Sequence, residues 1–173
     1  MLGLLKRYRK SGSLLDIGCA YGFLVDFANK GGFKAEGFDI SEFAISKARN
    51  YFPCYKFYVA ALGKFKPGKK YDMITCIDVI EHVKDVNKSI RYIKSIMKSD
   101  GLVMFKLPVR GSFFQNLLLN GDKTHIYKYS KEKWINILSK HFKIIDIHSS
   151  NLGLFFDVPY FFEEGIILIC QKK

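Results

Sequence analysis

The stretch Leu14 to Gly22, Leu-Leu-Asp-Ile-Gly-Cys-Ala-Tyr-Gly, holds the residues best suited to grip a small molecule. An apolar run carries Asp16 near its end, and Gly18 and Gly22 flank a tight turn into an amphipathic segment. Glycine lets the backbone take unusual dihedrals and approach a ligand closely. The start of the next helix offers free N–H groups. In an open α/β sheet such a turn lies at the carboxyl ends of the strands, where ligands bind. A dinucleotide fingerprint reads G-x-G-x-x-G, whereas here the glycines are four apart and position 20 is Ala. Asp16 would repel a pyrophosphate and attract a cation. S-adenosylmethionine has no phosphate and carries an ammonium and a sulfonium, so this acid favours it over NAD. A second carboxylate, Asp39, ends the next apolar run in Gly-Phe-Asp-Ile-Ser, 17 residues after Gly22. That is the position for accepting hydrogen bonds from ribose hydroxyls. In the plainer reading, Asp39 and Ser41 only cap the next helix. Cys19 lies inside the turn. A thiol at a helix N-terminus can act as a nucleophile, but we read Cys19 as a small residue against the cofactor.

A second constellation is Asp78-Val-Ile-Glu81-His82, joined by the distant His125. Were the segment a helical turn, Asp78, Glu81 and His82 would share one face. His125 follows the fifth apolar run and so falls near the same sheet edge. Two carboxylates and two imidazoles suit a divalent cation such as magnesium, manganese, iron or zinc. Without a metal, His82 or His125 would act as a general base, with Glu81 beside them. His141 and His148 read as a helix-terminal and a strand-end residue.

These residues need a frame, and the chain supplies one. Apolar runs alternate with amphipathic segments. Strands are expected at 14–17, 34–38, 55–59, 72–77, 102–107, 142–147 and 166–170, and helices at 23–30, 42–50, 85–98, 113–119 and 131–140. Ser41 and Ser130 stand as N-caps, and Gly31-Gly32 and Asp100-Gly101 as stops and turns. The alternation predicts an α/β, doubly wound, mostly parallel seven-stranded sheet covered on both faces. The last two strands have no helix between them and are expected to pair antiparallel. Two apolar, aromatic-rich segments, Phe113–Leu119 and Phe155–Phe162, are expected to form a substrate mouth.

Composition bounds the rest. The 173 residues fit a single domain. No apolar stretch approaches the ~20 residues of a membrane span. The first ten residues put an apolar patch ahead of four basic ones; a secretory leader runs the other way, so a cytoplasmic protein is expected. The four cysteines form no C-x-x-C pair. The net charge of +12 favours polyanions, although scattered lysines also serve solubility.

In this order the motifs resemble the class I S-adenosylmethionine-dependent methyltransferases, in particular the ubiquinone-biosynthesis-like O-methyltransferase type, over nearly the whole chain. Leu14–Gly22 looks like the first motif, Gly37–Ser41 like the second-strand acid, Tyr71–Val83 like the fourth-strand motif, and Lys98–Pro108 and Lys123–Ile147 like the later segments. The resemblance implies a Rossmann-like methyltransferase fold with a minimal N-terminal lid. It implies that Asp16, Gly18 and Gly22 shape the methionine end of a cofactor pocket, that Ile40 lies beside the adenine, and that Ile77 touches the cofactor. An acid usual after the third strand is lacking, so backbone groups of Ala61 and Leu62 are expected there. Asp78, Glu81, His82 and His125 resemble the metal sets of some relatives. The function implied is methyl transfer to a hydroxyl of a small or lipid-like molecule. An RNA methyltransferase is the alternative that the charge suggests, and a non-catalytic partner protein of the same fold a third.

Overall fold

The computed structural model describes residues 2–109, 127, 129–151 and 163–173. Helix α1 (Leu2–Tyr8) precedes β1 (Gly12–Ile17), α2 (Phe23–Lys30), β2 (Phe33–Asp39), α3 (Glu42–Tyr51) and β3 (Lys56–Val59). Then come β4 (Tyr71–Ile77), a single 3-10 turn (Ile80–His82), α4 (Val86–Ser95) and β5 (Met97–Pro108). After them follow α5 (Lys131–Ser139), β6 (Phe142–Asn151) and β7 (Glu163–Lys172).

Local chemistry sets the helix starts. Ser41 accepts from the Ala44 N–H at 3.2 Å, Asp85 from Lys88 at 2.8 Å and Ser130 from Lys133 at 3.3 Å. Each satisfies an N–H that the first turn leaves unpaired.

The seven strands form one sheet in the order β3-β2-β1-β4-β5-β7-β6. β1 to β5 run parallel, and β7 is antiparallel to both β5 and β6. Strand residues alternate between two cores. Leu15, Ile17, Phe38 and Ile74 pack with Ile90 and Ile93 of α4 and Trp134 and Leu138 of α5. Leu14, Ala35 and Met73 pack with Leu5 of α1, Val25 and Ala28 of α2 and Ile45 of α3.

The structure departs from the sequence expectation at both ends, in chain order, of the sheet's parallel part. The amino-terminal residues form α1, held by the buried Leu5. Helix α4 stops at Ser95, and Asp100-Gly101 belongs to β5. Tyr71 donates to Ile96 O and pairs with Met97, so the sheet captures the chain before those residues, with an irregularity between Tyr71 and Met73. The segments Phe113–Leu119 and Phe155–Phe162 lie outside the described residues. Between β3 and β4, residues 60–70 cross as a loop. Phe65 anchors it, stacking on Phe38 at 4.8 Å between ring centres and lying 5.0 Å from Tyr58. Under the loop the buried Glu36 accepts from Tyr58 and Tyr71, both at 3.0 Å, and pairs with Lys69 at 2.6 Å. These groups line a cavity of about 250 Å³.

Candidate active site

The parallel strands deliver Ile17, Asp39 and Ile77 to one edge of the sheet. Three residues of the turn after β1 have positive φ: Gly18 at 72°, Ala20 at 44° and Gly22 at 81°. The two glycines also tolerate close neighbours. A Cβ on Gly18 would collide with Val79, and one on Gly22 would meet the Phe57 ring at 2.6 Å. The turn is tied to β2, since Gly18 and Cys19 donate to Phe38 O at 2.8 and 3.1 Å.

Asp39 ends β2 and closes the loop. Its Oδ2 accepts from the Ala20 N–H at 2.9 Å and its Oδ1 from the Ser41 N–H at 2.8 Å. Each carboxylate oxygen can accept more than one bond, so capacity remains for ligand hydroxyls. The capping reading holds: Ser41 caps α3 while Asp39 orders the residues before it. Ile40, next in sequence, is 74% exposed, a large apolar side chain in water just past the end of β2. After β3, Lys64 donates to Ala61 O at 2.9 Å, making a turn at the level of Asp39, and Leu62 packs against the core.

Asp16 is buried. Thr75, facing it across β4, donates its hydroxyl at 2.6 Å. Burial pushes the Asp16 carboxyl up to about 7, against that hydrogen bond and with help from Asp39. Cys19 is buried against Gly37, and burial raises its thiol far above the ordinary range. The thiol stays protonated in that setting.

At the end of β4 the expected helical face does not form. The 3-10 turn begins at Ile80, and Asp78 precedes it with φ 52°. Asp78 turns to Lys106 of β5, whose ammonium lies 2.6 Å away. Glu81 is fully buried, with His82 Nε2 3.9 Å from its Oε1. Burial pushes the Glu81 carboxyl up to about 7, and Asp78 adds to the effect. Tyr127 holds the turn from the far side, its N–H donating to Glu81 O at 3.3 Å and its hydroxyl to Lys84 O at 2.8 Å. His125 lies outside the described residues. Among the described residues no three His, Cys, Asp or Glu side chains come together to hold a metal. Lys106 neutralises the Asp78 carboxylate there.

Sequence reasoning missed Thr75 and Lys106. Each is a polar residue inside an apolar strand, and Lys106 is the one charge in Leu102–Leu107. Their partners follow only from strand register.

Residues 2–142 match the model of the family described as "Methyltransferase domain". A ubiquinone biosynthesis O-methyltransferase of Coxiella burnetii is 29% identical over 105 residues, 56% of this chain and 43% of that protein. Its Nitrosomonas europaea counterpart is 31% identical over 100 residues, 54% and 42% of the two chains. The chain thus spans less than half the length of these curated relatives. Among solved structures, a Pyrococcus horikoshii protein superposes with TM-score 0.79 at 19% identity, over 99% of this chain and 87% of that one. The N-methyltransferase NodS of Bradyrhizobium japonicum, in complex with S-adenosyl-L-homocysteine, superposes with TM-score 0.75 at 16% identity, over 99% and 83%. These two likenesses establish the fold.

Proposed function

Because the chain belongs to the methyltransferase-domain family, we propose that it uses S-adenosylmethionine to methylate a hydroxyl of a small or lipid-like molecule. One observation carries the cofactor half of this reading. The left-handed Gly18–Gly22 turn is latched to Asp39, whose carboxylate keeps acceptor capacity beside an exposed Ile40. A carboxylate acceptor beside an apolar side chain fits a nucleoside without phosphates.

Asp39 would hold the ribose hydroxyls, Ile40 the adenine face, and the backbone of Ala61 and Leu62 the adenine edge. The backbone of Gly18, Cys19 and Gly22, with Asp16 beneath and Ile77 at the side, would enclose the methionine end. The bound cofactor supplies an electrophilic methyl group on a sulfonium that leaves as a neutral thioether. The protein's task is then alignment and removal of one proton. His82, with its side chain 36% exposed, is proposed as the base for the acceptor hydroxyl, and His125 is proposed for the same role from the sequence alone. Glu81 sits behind His82 and would stabilise the imidazolium once ionised. The hydroxyl acceptor is supported by the two O-methyltransferase relatives and by the placement of an imidazole at this edge.

Calorimetry with S-adenosylhomocysteine tests the reading. Asp39→Ala should weaken binding by about 1.5–3 kcal/mol for each charge-assisted bond lost, tenfold or more. Unchanged affinity, or tight NADH binding by the wild type, would refute the cofactor assignment. Mass spectrometry of phenol and amine acceptors then decides the atom: methylated amines with untouched phenols would overturn the hydroxyl assignment.

A further inference from the structure

The edge of the sheet opposite the Gly18–Gly22 turn gathers positive charge from α4, from the ends of α5 and β7, and from the residue before β4. Lys172 Nζ donates to Met97 O at 2.9 Å, where β5 begins, and Lys173 Nζ to Ser139 O at 2.6 Å, where α5 ends. Lys140 is the C-cap of α5. Arg91 and Lys94 lie toward the end of α4, and Lys70 immediately precedes β4. The charges act on shared neighbours. Burial and then Lys94, Arg91, Lys140 and Lys173 hold the His141 imidazole below its usual range. Burial with Lys70 and Lys94 does the same to Lys172. None of these six cations forms an ion pair with an Asp or Glu side chain among the described residues.

Helix ends account for part of this charge. Two helix C-termini carry about half a negative unit each. A carboxylate at Lys173 would add one more. Six cations against roughly two negative units leaves about four uncompensated. A folded chain gains nothing from that repulsion, so an external polyanion is the natural counterpart. A bilayer fits less well, because membrane-surface segments pair basic residues with an apolar wedge. The exposed large apolar side chains lie on the β1–α2 turn, α2, α3, β3, β6 and the residue after β2, and none on the ends of α4, α5 or β7.

We infer that this edge is a docking surface for the phosphate backbone of a nucleic acid, separate from the methyl-transfer site. Binding there is sequence-independent and electrostatic, and it holds the polymer at the opposite edge of the sheet from the cofactor turn.

Fluorescence anisotropy of labelled poly(U) with the full chain tests this. The wild type binds at low salt, with log affinity falling linearly against log salt. The triple variant Arg91→Gln, Lys94→Gln, Lys140→Gln loses at least tenfold in affinity at low salt. Its salt slope becomes shallower by about 2, from about 0.7 per phosphate contact on a single strand. A control variant, Lys47→Gln, Lys88→Gln, Lys133→Gln, removes as much charge from α3 and from near the starts of α4 and α5 and binds like the wild type. S-adenosylhomocysteine affinity reports folding of both variants. Should the triple variant not fold, acetylation footprinting of the wild type replaces it, with Lys94 and Lys140 protected by poly(U). The inference fails if the wild type does not bind poly(U), if both variants weaken alike, or if these lysines stay unprotected. It also fails if phosphatidylserine vesicles, and not poly(U), are what this edge captures.

Discussion

Glu81 and Asp16 are carboxyls that the fold prefers to keep protonated. Burial is the leading cause in both, and both are pushed up to about 7. In the unfolded chain they ionise near ~4. Between those values the unfolded state has released a proton that the folded state retains, so stability falls as pH rises from ~4 to ~7. Glu81→Gln removes the titration at one site. In urea unfolding, the variant should gain up to about 3 kcal/mol over the wild type at pH 8, from roughly 2.5 pKa units at 1.36 kcal/mol each, and the difference should shrink toward zero at pH 4. An equal difference at both pH values would mean that Glu81 does not titrate there. At this scale the sequence was legible at Gly18 and Gly22, which both take the positive φ that their turn requires. The glycine spacing and the strand-ending Asp39 are local signals. The place of Asp78 was not legible. The helical reading required a regular turn from residue 78, but Asp78 adopts a positive φ, which aspartate tolerates better than most residues, and its carboxylate goes to Lys106 on another strand.

Among the elements, those with a local start signal were found nearly to the residue. α2, α3 and α5 began where expected, and Asp85, expected as the first residue of α4, is its N-cap. Ser41 links element to site, because it caps α3 and donates its N–H to Asp39. Ser41→Ala keeps the N–H and loses the hydroxyl cap. It should cost about 1 kcal/mol of stability, read as a lower thermal midpoint, while S-adenosylhomocysteine affinity stays near the wild-type value. A large loss of affinity would show that the cap also sets the carboxylate's position. The elements that escaped notice take their form from distant partners. α1 is short and amphipathic only in relation to the core that receives Leu5. The first residues of β5 are polar and become strand because Tyr71 offers a pairing edge.

Across the whole molecule, strand-helix alternation announced the doubly wound sheet, and the missing helix near the end announced the antiparallel pair. Strand order came only with the structure. β7 lies inside the sheet, and β6 reaches it only through β7. Ile166, Leu168, Ile169 and Cys170 of β7 are all fully buried. At ~1.5–3 kcal/mol for each large aliphatic side chain, their loss approaches the ~5–15 kcal/mol that holds a typical domain together. A variant ending at Asn151 should therefore show no cooperative thermal transition in circular dichroism; a sharp transition would mean that β6 finds another partner. The interior place of β7 also imposes an order on biosynthesis. A ribosome completes β6 before it makes the strand that must separate β6 from β5. At ~5–20 residues per second, the nascent chain spends about one to four seconds with two unpaired edges facing each other. Direct pairing of those edges would trap the chain in the wrong order. Translation speed and chaperone access over that interval, rather than the finished structure's stability, would then set the yield of folded protein.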